Sequence, residues 1–296
     1  MLRQRTLTKS VSASGIAIHT GKSVAITLQP ADINTGIIFR RIDLHPPVEI
    51  PATTHYVGDT RLNTTLTHEG VHISTVEHVL SALAGYGIDN VYVDIDNAEP
   101  PVMDGSALAF TSLIEAAGIT EQDAPKKFLL IKKTIRVEED DKFAVLAPHP
   151  GAKFSFTIDF DHPAIKATQQ TAEIDLMTGV FAKEISGART FGFLSDYEYL
   201  KKNQLAQGAS LENTVVLDDK GVMNEGGLRY ENEFVRHKIL DAIGDLFLLQ
   251  HNVIGAFTGY KSGHALSHQL RLALLSDPTA YEVVTWEGEM PSSFAV

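Results

Sequence analysis

Within the run Glu231 to Gln250, a histidine and two aspartates recur at every fourth position: His237, Asp241 and Asp245. At about 3.6 residues per turn these three fall on one stripe of a helix, with Val235, Ile239, Ala242, Leu246 and Leu249 on the opposite side. The apolar side belongs to a core, so the polar stripe must look into something else. An imidazole and a carboxylate one turn apart match the spacing at which a helix offers two ligands to zinc. The same spacing also describes a solvated helix face carrying a His–Asp pair. What separates the two readings is a third ligand from another element.

The chain supplies one by repeating itself. Ser23 to Pro30 and Gly36 to Asp43 read as successive strands, and Lys142 to Pro148 and Lys153 to Asp159 repeat that order. Asn63 to Val71 and Asn213 to Val222 both read as hairpin-like strands turning at glycine. Each is followed by a helix, Val76 to Gly85 and Val235 to Gly244, and then by a strand opening Asn-Val, at Asn90 and Asn252. These matching pairs in one order indicate an internal duplication: an α+β fold of two like domains, 1–120 and 127–296, joined by a linker over 121–126, in a seam near Ala117 to Lys127 where Gly118, Pro125 and a polar run break the periodicity. The two helices carry histidines at matching places, His78 and His237. Packed helix to helix about a pseudo-twofold axis, they bring His78, His237 and Asp241 together. Three protein ligands with one position open is the pattern of a catalytic zinc.

Other residues extend the chemistry, each with a plainer alternative. Glu77 precedes His78, and adjacent helical residues point about 100° apart, so Glu77 would flank a metal and accept a proton from its water. Ser74-Thr-Val-Glu77 is equally a capping box, with Glu77 bonded back to the Ser74 amide. His264, after a Ser-Gly step, suits a loop that delivers a general acid into a cleft, with Asp245 holding its tautomer; a surface histidine is the alternative. Lys238, at the edge of the stripe, would stabilise developing negative charge or a phosphate, or else is a solvated lysine. His19, in Gly15-Ile-Ala-Ile-His-Thr-Gly21, is either near the cleft or a structural turn histidine.

Composition narrows the setting. The 296 residues carry 25 Lys plus Arg against 37 Asp plus Glu, a net charge of −12 that argues against nucleic acid as a partner. With no cysteine, disulfides and thiolate ligands are excluded, and a metal must sit on His, Asp or Glu. No stretch approaches the roughly 18 apolar residues of a membrane span, and the first 30 residues lack the apolar core of a signal peptide. A cytoplasmic protein without a stable membrane anchor is expected, and nothing in the sequence requires more than a monomer.

The segments Ser74-Thr-Val-Glu-His-Val-Leu-Ser-Ala-Leu83, Glu99-Pro-Pro-Val-Met-Asp-Gly-Ser106, Ala188-Arg-Thr-Phe-Gly-Phe193, Val235-Arg-His-Lys-Ile-Leu-Asp-Ala-Ile-Gly-Asp245 and Lys261-Ser-Gly-His264 resemble the UDP-3-O-acyl-N-acetylglucosamine deacetylase family, zinc enzymes of lipid A biosynthesis. The resemblance runs almost from end to end. It implies two β-α-α-β sandwich domains with the site between them, each with an insertion, the second over Phe191 to Gln207 and forming part of an acyl-chain passage. It further implies that His78, His237 and Asp241 hold Zn2+, that Glu77 is the general base, and that His264 is the acid oriented by Asp245. Thr190 would steady the oxyanion. Phe191, Lys238 and Lys261 would contact a UDP-linked acylated glucosamine, with Asp159 and Phe160 near its uridine. The fatty chain of such a substrate implies transient contact with the inner membrane surface. Residues around Arg61-Leu62-Asn63 vary within the family and bear on acyl length. Two rivals remain: a zinc peptidase, disfavoured because H-E-x-x-H is absent, and a non-catalytic glycolipid-binding module with a structural zinc.

Overall fold

A computed structural model describes residues 1–286; the last part of the expected second domain, 287–296, lies outside the described residues. The fold is α+β. The first half runs β1 (Arg3–Leu7), β2 (Val11–Ile16), β3 (Ser23–Pro30), β4 (Ile37–Arg41) and β5 (Val48–Pro51). A small sheet of β6 (Val57–Asp59), β7 (Thr65–His68) and β8 (Val71–Ile73) follows, then helix α1 (Glu77–Gly85), β9 (Val91–Ile95) and α2 (Leu108–Ala117). After β10 (Ile119–Pro125), the second half runs β11 (Lys127–Ile131), β12 (Ile135–Glu139), β13 (Lys142–Ala147) and β14 (Ala152–Thr157). It continues through α3 (Pro163–Lys166), β15 (Thr171–Asp175), β16 (Phe191–Phe193), α4 (Tyr197–Lys202), β17 (Val215–Leu217), α5 (Glu233–Phe247), β18 (Asn252–Tyr260), α6 (His264–Ser276) and β19 (Tyr281–Thr285).

The repetition seen in the sequence is a repetition of sheet topology. The first large sheet has the order β2-β3-β9-β4-β5, antiparallel except where β9 runs parallel to β4. The second contains β12-β13-β18-β14-β15, antiparallel except where β18 runs parallel to β14. In each, the helix before the central strand, α1 or α5, connects the outer strands to the middle one. The second sheet is widened by β11, parallel to the start of β18, and by β19 on the far side of β11. The stretch read as a linker is a strand: β10 pairs antiparallel with β1, so the seam is fastened to the chain's own N-terminal strand.

The helices meet as the sequence expects. Val76, Val79, Leu80 and Leu83 of the first helical segment and Val235, Ile239, Ala242, Leu246 and Leu249 of the second are all buried. Each helix therefore lays an apolar stripe on its own surroundings and leaves its histidine for the other helix. How closely they approach is set at Gly244, where an added Cβ would lie 2.0 Å from the Glu77 carbonyl oxygen. Glycine inside a helix costs about 1 kcal/mol relative to alanine, and here the contact of backbone on backbone leaves no room for a side chain. Gly244→Ala is expected to lower stability by about 1–3 kcal/mol through overpacking, measured as a fall in the urea midpoint; an unchanged midpoint would mean that the two helices can separate freely.

Candidate active site and metal centre

The α1–α5 crossing brings together His78, His237 and Asp241, whose ligand atoms all lie within 4.8 Å of one another. The His78 and His237 rings are 5.1 Å apart and nearly perpendicular. Nε2 of His78 is 3.6 Å, and Nε2 of His237 3.4 Å, from Asp241 Oδ1. Bonds of about 2.0–2.2 Å in a tetrahedron require ligand-to-ligand edges of about 3.3–3.6 Å, so both spacings suit one small ion.

The hydrogen bonding agrees. Asp241 Oδ1 is buried without a hydrogen-bond partner, an expensive state unless a cation takes it up. The other oxygen, Oδ2, accepts from Lys238 Nζ at 2.7 Å. Lys238 thereby turns one oxygen of the carboxylate away and leaves the other for the cluster. Nδ1 of His237 sits 3.0 Å from the Ala188 carbonyl oxygen; a carbonyl only accepts, so Nδ1 carries the proton and Nε2 presents its lone pair. Burial pushes the His237 pKa down to about 4, against the pull of Asp241, which keeps the ring neutral as a ligand must be. Burial opposes the charge on Asp241, but neighbouring His237 and the Lys238 ammonium hold its carboxyl well below the usual range.

Beside this trio lies an acid–base pair. Glu77 is buried at the start of α1, and burial raises its carboxyl above the ordinary value although His264 and His78 oppose this. Its Oε1 is 3.8 Å from His264 Nε2, too long for a direct hydrogen bond but close enough for one atom beside them to hydrogen-bond to both. Its Oε2 accepts from the Thr64 amide at 3.0 Å. The capping-box alternative fails: the Ser74 amide donates to Ala98, and the N-cap of α1 is Val76 with no side-chain cap. The cause is Thr75, whose φ of 53° takes the chain out of helical register just ahead of α1.

His264 is not on a loop. It is the first residue of α6, after Gly263 in extended conformation, and it is buried. Its Nδ1 is 2.9 Å from Asp245 Oδ2, and Thr64 Oγ1 donates to Asp245 Oδ1 at 2.6 Å. Burial alone would lower the His264 pKa, but the Asp245 and Glu77 carboxylates outweigh it and raise it to about 9. Asp245 itself is held below its ordinary value against burial by His264. Behind it, buried Arg271 donates from Nη1 to the Asp245 carbonyl oxygen at 2.8 Å.

Half-buried Thr190 is tied through its amide to the Gly105 carbonyl and through its own carbonyl to the Val215 amide, both at 2.8 Å. The preceding Arg189 is locked to buried Glu233 by Nε at 2.8 Å and Nη2 at 3.1 Å, which fixes the segment that also offers the Ala188 carbonyl to His237. Phe191 packs its ring on His237, Phe234 and Phe160, and Phe160 in turn on Phe193, an aromatic wall leading away from the trio. Lys261 holds its ammonium 2.5 Å from Asp141 and 3.2 Å from Asp159. The second insertion reaches back to the first half, where the Gln207 amide donates to the His19 carbonyl at 3.1 Å, and His19's own amide donates to Glu99. Thr64, Arg189, Glu233 and Arg271 escape the sequence reading. Thr64 lies inside Asn63 to Val71, which the sequence offers as a hairpin-like strand, and a threonine there carries no mark of chemistry; in the structure it immediately precedes β7.

A sequence model of the family described as UDP-3-O-acyl N-acetylglycosamine deacetylase matches residues 4–276. The chain belongs to that family. Relatives named UDP-3-O-acyl-N-acetylglucosamine deacetylase include one from Nitrosococcus oceani, 58% identical over 98% of this chain and 95% of the relative. Another, from Thioalkalivibrio sulfidiphilus, is 56% identical over 99% and 96%. A third, from Coxiella burnetii, is 54% identical over 100% and 97%. For this family member no helix of the described residues is long and apolar enough to cross a membrane.

The Asp245–His264 pair makes a prediction about protons that needs no turnover. Because the His264 value of about 9 lies above the ordinary 6.5, the pair stabilises the fold below that ordinary value, and the contribution fades as pH rises through the higher one. Followed by NMR in metal-free protein, His264 should titrate near 9, and Asp245→Asn should move the midpoint down. A midpoint that stays in place would detach Asp245 from the imidazole.

Proposed function

We propose that the chain is a zinc-dependent N-deacetylase that hydrolyses the acetamide of a UDP-linked, 3-O-acylated N-acetylglucosamine, releasing acetate and the free amine for lipid A biosynthesis. The observation that carries this reading is the buried, unpartnered Asp241 oxygen between two imidazole nitrogens, with a carboxylate and a protonated imidazole on its flank. His78, His237 and Asp241 would hold zinc, the choice favoured by a nitrogen–nitrogen–oxygen donor set. When bound, zinc supplies Lewis acidity: it makes water a nucleophile near neutral pH and polarises the amide carbonyl.

The chain's own residues do the rest. Glu77, with Oε2 fixed by the Thr64 amide, receives the water's proton on Oε1. As the carbonyl carbon becomes tetrahedral, Thr190 and Lys238 are the groups we assign to the developing oxyanion. His264 keeps Nδ1–H on Asp245 and delivers the Nε2 proton to the departing nitrogen, and the C–N bond breaks to give acetate and amine. Lys261, Asp159 and Phe160 would engage the nucleotide end, with Phe191 between it and the reacting centre. The Phe191 to Gln207 insertion, whose Leu194, Tyr197 and Tyr199 are exposed, would line the acyl passage. Two domains, 1–120 and 127–296, would enclose this cleft. A binding module with a structural zinc is the lesser reading, since a closed structural site takes four protein ligands and this cluster has three among the described residues.

Acetate release from the acylated UDP-sugar should vanish on chelation and return with one equivalent of zinc. Glu77→Ala and His264→Ala should each cost about 10²–10⁴-fold in kcat while retaining metal. Substrate binding that survives chelation with no turnover in any metal state would favour the module instead.

A further inference from the structure

Thr64 touches both halves of the acid–base machinery. Its amide donates to Glu77 Oε2 at 3.0 Å, and its hydroxyl donates to Asp245 Oδ1 at 2.6 Å. The same Oγ1 is 3.3 Å from His264 Nδ1, which donates to the other Asp245 oxygen at 2.9 Å. Thr64 itself is completely buried, and its carbonyl accepts from the Val76 amide at 3.3 Å, so its backbone is pinned to the entry of α1. Glu77 lies on α1 in the first half of the chain, whereas Asp245 and His264 lie on α5 and α6 in the second.

We propose that Thr64 is a positioning residue that sets base and acid in mutual register across the two halves. The proposal rests on the deacetylase reading and goes beyond it. The terminal torsion of a carboxylate is soft, and Arg271 grips only the main-chain oxygen of Asp245. Without a donor on Oδ1, the carboxylate can swing and carry the imidazole with it. With the donor in place each oxygen has one assigned partner, His264 Nδ1–H is held, and Nε2 faces Glu77 Oε1 across the 3.8 Å gap. Threonine suits this task because β-branching restricts χ1, fixing a hydroxyl whose own backbone amide already holds the base. One residue therefore ties together two groups that no element of secondary structure holds in common.

The decisive variant is Thr64→Val, which keeps shape and amide but deletes the hydroxyl. We expect kcat to fall about 10–100-fold, the range for loss of an outer partner of a site residue, with KM and metal content unchanged and a lower thermal midpoint from the buried carboxylate oxygen left without its donor. Thr64→Ser should recover most of the loss. In an Asp245→Ala background Thr64→Val should cost nothing further, because the hydroxyl acts through that carboxylate. In metal-free protein the low-field Nδ1–H proton resonance of His264 should shift in Thr64→Val and not in Thr64→Ser. Wild-type kcat in Thr64→Val, or the full additional loss in the Asp245→Ala background, overturns the proposal. If the wild-type protein releases no acetate in any metal state, the deacetylase reading falls on its own; the His264 resonance is still read, and its indifference to the hydroxyl overturns the role of Thr64.

Discussion

The site depends on two helices touching backbone to backbone. Gly244 lies so close to the Glu77 carbonyl that no side chain fits between them, and from that contact the other distances follow. It brings His78 within reach of Asp241 and puts Glu77 beside His264, although the members of each pair are far apart in the chain. The apolar stripes of both helices are buried in one continuous hydrophobic core, so the crossing cannot loosen without disturbing it. The precision needed for metal ligation comes from packing of this rigidity and not from the ligands, which as buried polar groups would otherwise repel or solvate.

Charge is balanced as tightly as volume. The buried carboxylates of Glu77, Asp241 and Asp245 face Lys238 and His264, with buried Arg271 on the Asp245 main chain. Each acid has its own work. Asp241 spends one oxygen on Lys238 and keeps one free; Asp245 spends both, on Thr64 and His264; Glu77 spends one on an amide.

Much of this was legible in the sequence, for physical reasons that can be named. The stripe of His237, Asp241 and Asp245 follows from helical periodicity alone, and the doubled order of strands and helices foretold two sheets wired alike. What escaped was what periodicity does not encode. Gly263 reads as a flexible step, yet its extended backbone starts α6 and makes His264 a helix residue. The polar run before Pro125 reads as a linker because its partner, β1, lies more than a hundred residues away in sequence. Ser74 to Glu77 fits a capping box until Thr75 takes up a positive φ, held by hydrogen bonds from its hydroxyl to Glu99 and from its amide to Asn63 Oδ1. Those contacts belong to the tertiary fold, and local pattern does not record them.

Aligning the two helices on His78 and His237 sets Ala82 against Asp241, Tyr86 against Asp245 and Arg236 against Glu77. One helix carries Glu77 and the other Asp241 and Asp245, so the repeated halves are not interchangeable. Two copies of the first half would lack the Asp241 and Asp245 carboxylates, and two of the second would lack Glu77. A pair of whole chains that exchanged halves, α1 of one against α5 of the other, would by contrast rebuild the site twice with no loss of any group.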